Sequence, residues 1–205
     1  MSVLSFLRSQ LFVNPPLPTY DFSGQTIIIT GANRGLGLEA ARHLLRLNAE
    51  RVIIAARSTK RAQDAVGELE ESTGRPGVVQ VERLDMASHE SVKEFAARMD
   101  KLTRLDAVLL NAGIYTHEFS KVDGFESHLT VNVINTFFLS FLLLPTLRRC
   151  AKAQRSRSRI SFVSSDRHVM FALPEWKEER PFEVLSEVNT AKMQERLVRP
   201  LSVLP

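Results

Sequence analysis

One stretch, residues 25–38 (QTIIITGANRGLGL), restricts this chain more than any other. An apolar run, Ile27, Ile28 and Ile29, leads into a turn carrying Gly31, Gly35 and Gly37, and the turn opens onto the apolar face of a helix. Glycine lets the chain turn where a Cβ would clash. It also bares backbone that can approach a pyrophosphate, whose charge is held by the N–H groups at the start of the helix. Strand, glycine turn and helix form the arrangement that seats a dinucleotide. The spacing is Gly-x-x-x-Gly-x-Gly rather than the commoner Gly-x-Gly-x-x-Gly, and any tight turn before a helix can carry glycines, so the segment takes its meaning from the residues downstream of it.

Downstream, strands and helices alternate. Leu38, Ala41 and Leu45 share a helical face, and residues 51–56 (RVIIAA) read as a buried second strand. Residues 59–73 return to helical period through Ala62, Val66 and Leu69, with Gly74 as the stop. A third strand is expected at 78–84. Ser88 is placed to cap the next helix, with Glu90 in its first turn and Val92, Phe95, Ala96 and Met99 as its inner face. A fourth strand at 105–110, a long helix at 123–147 and a fifth strand at 159–163 complete the pattern. Strands alternating with helices predict an α/β fold: a doubly wound parallel sheet covered on both faces, in three α/β/α layers with right-handed crossovers.

Composition narrows the function. The chain has 205 residues, enough for one domain with a real core, and no internal repeat. A net charge of +4 is too weak to argue for nucleic acid. The cationic tract at 148–159 (RRCAKAQRSRSR) has no aromatics to stack on bases, and is read as a helix C-terminus followed by a solvated loop. Cys150 is the single cysteine, which fits a reducing, cytoplasmic setting. The longest apolar run, 137–147, is shorter than the ~18 residues of a membrane span. Residues 1–20 are expected to form an amphipathic lead. Val3, Leu4, Leu7 and Leu11 would pack it on the domain or touch a membrane surface, the first being favoured because its polar face has few cations, and Pro15, Pro16 and Pro18 end it. Arg8 inside its apolar part argues against a secretory signal. Residues 21–205 are then the nucleotide-binding domain. The charged tract at 166–196 is expected to be a loop or partial helix. No metal ligands are assigned.

Ligands of a doubly wound sheet bind at the carboxyl ends of its strands. Those ends read Thr30-Gly31, Arg57, Asp85, Asn111-Ala112-Gly113 and Ser164-Ser165, polar or glycine where each strand body is apolar. Together they outline one crevice. An enzyme that uses NAD places an acid after the second strand to bind the ribose 2′-OH. Here the site reads Ala55-Ala56-Arg57, and Arg34 directly precedes Gly35. Two guanidinium groups favour a 2′-phosphate, hence NADP(H).

The motifs TGANRGLG at 30–37, LDMAS at 84–88, LNAG at 110–113, VNVINTF at 131–137 and FVSS at 162–165 resemble the short-chain dehydrogenase/reductase family over residues 25–165. The likeness is to its retinol-dehydrogenase-like and WW-domain-oxidoreductase-like branch, whose fungal members often act in secondary metabolism. The resemblance implies a Rossmann-like sheet of order 3-2-1-4-5. It places Gly31, Gly35, Leu36 and Gly37 along the pyrophosphate and ribose, Asp85 on the adenine and Asn111 under the adenosine ribose. Asn33, Arg34, Arg57 and Gly113 complete the candidate cofactor set. Ser165 would hold the substrate oxygen, and Asn132 would serve a proton relay. Asn135 stands where the family more often has glycine or another small residue. The implied activity is an NADP(H)-dependent interconversion of an alcohol and a carbonyl on a small lipophilic or secondary-metabolite substrate, with a homo-oligomer as one state of the intact form. A methyltransferase of the same fold is disfavoured by the NAG turn and the Ser-Ser strand end.

The resemblance breaks near the end. The family's general acid is a tyrosine followed four residues later by a lysine, and the pair is expected directly after Met193-Gln194-Glu195-Arg196. Leu197 and Leu201 occupy the two positions, and Pro200 opposes the helix that would present them. Tyr115 has Phe119 four residues on, and Tyr20 lies outside the motif region. His168 reads as a solvated loop residue. The sequence therefore predicts a fold truncated after strand five, without its catalytic helix, as a shifted reading frame or a retained intron near codon 197 would leave it. The alternative function is a catalytically inactive NADP-binding fragment or pseudoenzyme.

Overall fold

Thr26–Thr30 form strand β1, and all five residues are buried. Strand β2, Arg51–Ala56, is buried from its second residue onward. Such unbroken apolar runs, rather than alternation, belong to strands covered on both faces. The computed structural model describes residues 8, 11–14, 16–116, 118–165 and 174–187. Strands β3 (Val79–Arg83), β4 (Ala107–Leu110) and β7 (Arg159–Phe162) complete a five-stranded sheet of order β3-β2-β1-β4-β7, parallel at every pairing. This is the sheet order expected from the sequence, with the switch point between β1 and β4.

Residue parity on the strands sorts the core into two layers. Ile27, Ile29, Val52 and Ile54 face helices α1 (Gly35–Arg46) and α2 (Thr59–Thr73), against Leu38, Ala41, Leu45, Ala62 and Leu69. Ile28, Ile53, Ala55, Val108 and Leu110 face the other way, against Val92, Phe95 and Met99 of α3 (His89–Met99) and Leu139, Leu143 and Leu147 of α4 (Asn135–Gln154). The caps follow the residues that predict them. Ser58 and Ser88 accept N–H groups of the first turns of α2 and α3, and Gly74, at φ 65°, closes α2 with its N–H on the Glu70 carbonyl. The 148–159 tract is the end of α4 and the loop after it, with Arg159 opening β7.

One expected element is different. No single helix runs from residue 123. Instead Lys121–Val122 (β5) and Phe125–Glu126 (β6) pair as an antiparallel hairpin, followed by a π-helical turn, Leu129–Ile134, before α4 begins. The cause lies at the hairpin tip, where Asp123 and Gly124 both have positive φ, 49° and 88°. An Asp-Gly pair in that conformation makes a primed hairpin turn and cannot continue a helix. The stretch Leu129–Gln154 is also longer than the apolar run at 137–147 suggests. It is long and apolar enough to cross a membrane by composition, but 44% of its most apolar window is buried, and α4 packs as a core helix.

Residues 21–163 form one compact unit, and residues 1–20 with 164–205 cluster as a second. In the second unit, Pro174–Lys177 form a 3-10 turn and Pro181–Glu187 form helix α5, so the 166–196 tract is in part helical. Proline suits the first position of both, where its missing N–H is not needed. Val3, Leu4 and Leu7 of the expected N-terminal lead, His168, and residues 197 and 201 lie outside the described residues.

Asp106 ties together the three strands at the amino end of the sheet. Its buried carboxylate accepts the Thr26 N–H at 2.9 Å and pairs with Arg104 Nε at 2.9 Å, while its carbonyl accepts the Arg159 N–H. Asp106→Ala leaves the Thr26 N–H without its acceptor. It is expected to lower the unfolding free energy by about 1–3 kcal/mol, measured by urea titration.

Candidate functional site

The carboxyl ends of β1 and β4 are joined by side chains at the switch point. The Thr30 hydroxyl, fully buried, accepts two backbone N–H groups, from Asn111 at 3.0 Å and Ala112 at 2.9 Å. Asn111 returns the contact, its Nδ2 donating to the Thr30 carbonyl at 3.0 Å. These bonds draw two loops so close that glycine becomes obligatory. A Cβ on Gly31 would lie 2.9 Å from Ala112 Cα, and one on Gly37 would lie 2.6 Å from Asn111 Nδ2. Gly35 differs. A Cβ there would meet nothing within 4 Å, so its φ of +57° is what requires glycine.

Above this seam lies a cleft of about 580 Å³. Gly31, Gly35 and Leu36 line its floor, where α1 begins. No side chain caps that helix end, and no acid occupies its first turn, so its partial positive charge is offered to the cleft. Arg34 and Arg57 line the side below β2, both exposed, and neither pairs with an acid or another side chain among the described residues. At the end of β3, Leu84 to Ala87 form one wall, with Ala87 N–H bound to Asp85 Oδ1 at 3.0 Å and Asp85 N–H bound to Ser91 Oγ at 2.9 Å. Asn111 to Ile114 form the facing wall. The Asn132 amide grips that wall at one residue: its Oδ1 accepts the Ile114 N–H at 2.8 Å, and its Nδ2 donates to the Ile114 carbonyl at 3.0 Å.

The hairpin supplies a lip that the motifs of the sequence do not reveal, through Ser120, Val122 and Ser127. The Asp-Gly at its tip is the signal that could have found it. Two carboxylate–histidine contacts fasten it. Asp123 Oδ2 accepts from His89 Nδ1 at 2.6 Å and from the His89 N–H at 2.5 Å, which holds its pKa below the ordinary carboxylate value. Glu126 is buried, which opposes its ionisation. Hydrogen bonds from the His128 N–H and ring and from the Leu129 N–H outweigh that burial, and its pKa is lowered. His128 Nδ1 lies 2.7 Å from Glu126 Oε1, while its Nε2 accepts the Thr116 N–H at 3.0 Å, so the proton sits on Nδ1. This chain of contacts holds the loop after β4 against the hairpin.

The cleft brings an uncapped helix start and two exposed guanidinium groups to the carboxyl end of the sheet. The sequence model of the short chain dehydrogenase family matches residues 25–172. The chain belongs to the short chain dehydrogenase family. The "Short-chain dehydrogenase anuD" of Penicillium roqueforti is 63% identical over 204 residues, 100% of this chain and 53% of that protein. The "Short chain dehydrogenase FGM9" of Gibberella zeae is 40% identical, over 96% of this chain and 58% of its own length. The chain thus spans about half the length of the curated relatives it matches. Among solved structures, the Pseudomonas aeruginosa RhlG/NADP active-site complex is similar at a TM-score of 0.61 and 26% identity, covering 90% of this chain and 68% of that one. An uncharacterised protein from Mycobacterium paratuberculosis is similar at a TM-score of 0.62 and 30% identity, covering 90% of this chain and 65% of its own.

Of the residues that the sequence assigns to the cofactor, Gly31, Asn33, Arg34, Gly35, Leu36, Arg57, Asp85, Asn111 and Gly113 all line the cleft of this short chain dehydrogenase. Gly37 lies beneath it, against Asn111. Asn132 stands behind the β4 wall. Ser165 comes three residues after β7, is exposed, and belongs to the second compact unit.

Two substitutions probe this geometry. Thr30→Val keeps the shape but strands two N–H groups at the floor of the cleft. It is expected to cost about 1–3 kcal/mol in urea unfolding and to loosen Asn111 and Ala112, seen as faster amide exchange at both. Glu126 has a lowered pKa, so its contribution to stability is complete above its ordinary 4.5 and is lost as pH falls through the lower folded value. Glu126→Gln should therefore be less stable than the native chain at pH 7, and the gap should close as the pH falls below 4.5. A gap independent of pH would contradict the assignment.

Proposed function

We propose that this chain is the cofactor-binding part of an NADP(H)-dependent oxidoreductase that interconverts an alcohol and a carbonyl. The observation that carries the reading is the pair Arg34 and Arg57, unpaired with any acid or side chain among the described residues at the mouth of the cleft, with Ala55-Ala56 and no carboxylate at the end of β2. Two exposed like charges with no ion-pair partner among the described residues suit a phosphate. The uncapped start of α1 and the open space over Gly35 suit a pyrophosphate. When bound, the nicotinamide supplies or accepts a hydride.

The residues of this chain divide the remaining tasks. The first turn of α1 holds the pyrophosphate, Arg34 and Arg57 hold the 2′-phosphate, and Asp85 and Asn111 bound the adenosine. Ser165 is proposed to orient the substrate oxygen. Asn132 fixes the β4 wall and, by resemblance, belongs to the proton relay. Leucine at 197 and 201 has no titratable proton, so turnover is proposed for a protein of the length of the relative, 53% of which this chain covers. We assign it to the retinol-dehydrogenase-like branch on the string Met193-Gln194-Glu195-Arg196, with a small lipophilic or secondary-metabolite substrate. We place it in the cytoplasm, as a monomer or homo-oligomer that binds no nucleic acid, with residues 1–20 as a lead and 21–205 as the NADP-binding domain.

NADPH is expected to bind more tightly than NADH by the worth of one or two charge-assisted contacts, about 1.5–3 kcal/mol, or roughly 10- to 100-fold. Arg57→Asp should reverse the preference by repelling the 2′-phosphate and offering an acceptor to the ribose hydroxyl. Fluorescence titration of both cofactors measures it. Equal affinities in the native chain would overturn the NADP(H) assignment.

A further inference from the structure

Asn135 is completely buried where α4 takes over from the π turn. Its Nδ2 donates to the Met86 carbonyl at 2.8 Å, and its Oδ1 meets no donor among the described residues. A buried acceptor without a partner is unfavourable, by at least as much as the single bond beside it is favourable. The amide cannot be turned over to relieve this, because the flip would set Oδ1 against the Met86 carbonyl. A small apolar residue would remove the orphan but leave the Met86 carbonyl without this donor, so the two effects offset. Asn135 therefore adds little net stability. What it holds in place is the backbone of Met86, in the middle of the wall at the end of β3.

The rest of that wall is fastened from its own side. Asp85 and Ala87 are bound to each other, and Asp85 is bound to Ser91 of α3. Asn135 reaches it from across the sheet's end. Three residues earlier on the same helical segment, Asn132 takes both polar groups of Ile114 in the facing wall. The wider π turn spreads these two amides further around the axis than an α-helical turn would, so one segment reaches two walls. Side chains of a single helical segment thus hold both the β3 wall and the β4 wall.

We propose that Asn135 is a positioning residue that fixes the β3 wall for the adenosine half of the cofactor. The inference rests on the dinucleotide reading of the cleft. With the 2′-phosphate at Arg34 and Arg57, below β2, the base carried by the same ribose reaches the end of the next strand outward, β3, where Met86 lies. Asn135 need not touch the ligand. It keeps the Met86 peptide from turning, so that wall and base meet without rearrangement.

The test uses the full chain and 2′,5′-ADP, which carries that half of the cofactor alone. Calorimetry compares the native protein with Asn135→Ala and Asn135→Ser, alongside thermal melting and amide exchange at Ala87. Both variants should bind about fivefold more weakly, the loss that one hydrogen bond's net worth makes in an affinity. Their melting temperatures should be unchanged or higher, and exchange at the Ala87 N–H should quicken. Unchanged binding in the variants, with the native chain binding normally, overturns the inference alone. A loss of affinity that tracks a lower melting temperature in both variants makes Asn135 a structural residue and overturns it too. Failure of the native chain to bind 2′,5′-ADP overturns the cofactor reading, and the inference with it.

Discussion

Everything at the candidate site depends on how closely the ends of β1 and β4 approach each other. Thr30 and Asn111 bond across the switch point, and the closeness they impose leaves no room for a Cβ at Gly31 or Gly37. In a parallel sheet the strands on either side of this seam send their helices to opposite faces, so the loops part and leave a crevice above it. The start of α1 is carried into that crevice bare of any cap. Gly31 and Gly37 serve that close packing, whereas the helix end and the open space over Gly35 are left facing the crevice.

The two faces of the sheet are unequal in what they do for the site. The α1 and α2 face delivers the uncapped start of α1 to the crevice, while Ser58 and Gly74 cap the two ends of α2. The α3 and α4 face delivers the walls. Asn132 and Asn135 project from the π turn and the start of α4, and the hairpin before them is pinned by Asp123 to the start of α3 and by Glu126 and His128 to the loop after β4. Buried Glu126 keeps its charge because three hydrogen bonds outweigh its burial, and the neutral ring of His128 passes that order on to Thr116. Polar groups that are fully used within a low-dielectric interior hold a loop more rigidly than apolar contact alone.

The sequence made the middle of the sheet legible because β1 and β2 are buried on both faces and so appear as unbroken apolar runs, each followed at the crevice by glycine or a polar residue. The caps at Ser88 and Gly74 were legible for a local reason: a serine hydroxyl and a glycine φ act within their own turn. The hairpin was overlooked because Lys121, Val122, Phe125 and Glu126 are only two residues per strand, too few to show a period, and the apolar run after them suggested a longer helix. The Asn132 and Asn135 contacts could not be read at all. Their partners, Ile114 and Met86, are backbone groups 18 and 49 residues away, and backbone groups leave no trace in composition or spacing. Ser165 was found by its place after a strand, and the structure describes it in a different compact unit from the cleft.

Arg34 and Arg57 are proposed to hold a 2′-phosphate, and phosphorus resonance of bound NADP+ addresses that contact directly. A free ribose phosphate takes up its second proton near pH 6. Beside two guanidinium groups its dianion is favoured, and the titration should move to lower pH when the cofactor is bound. Arg57→Ala should return it most of the way to the free value. A bound 2′-phosphate that titrates as it does in free solution would contradict the account, because it would place that phosphate in water and leave the two arginines without the role assigned to them.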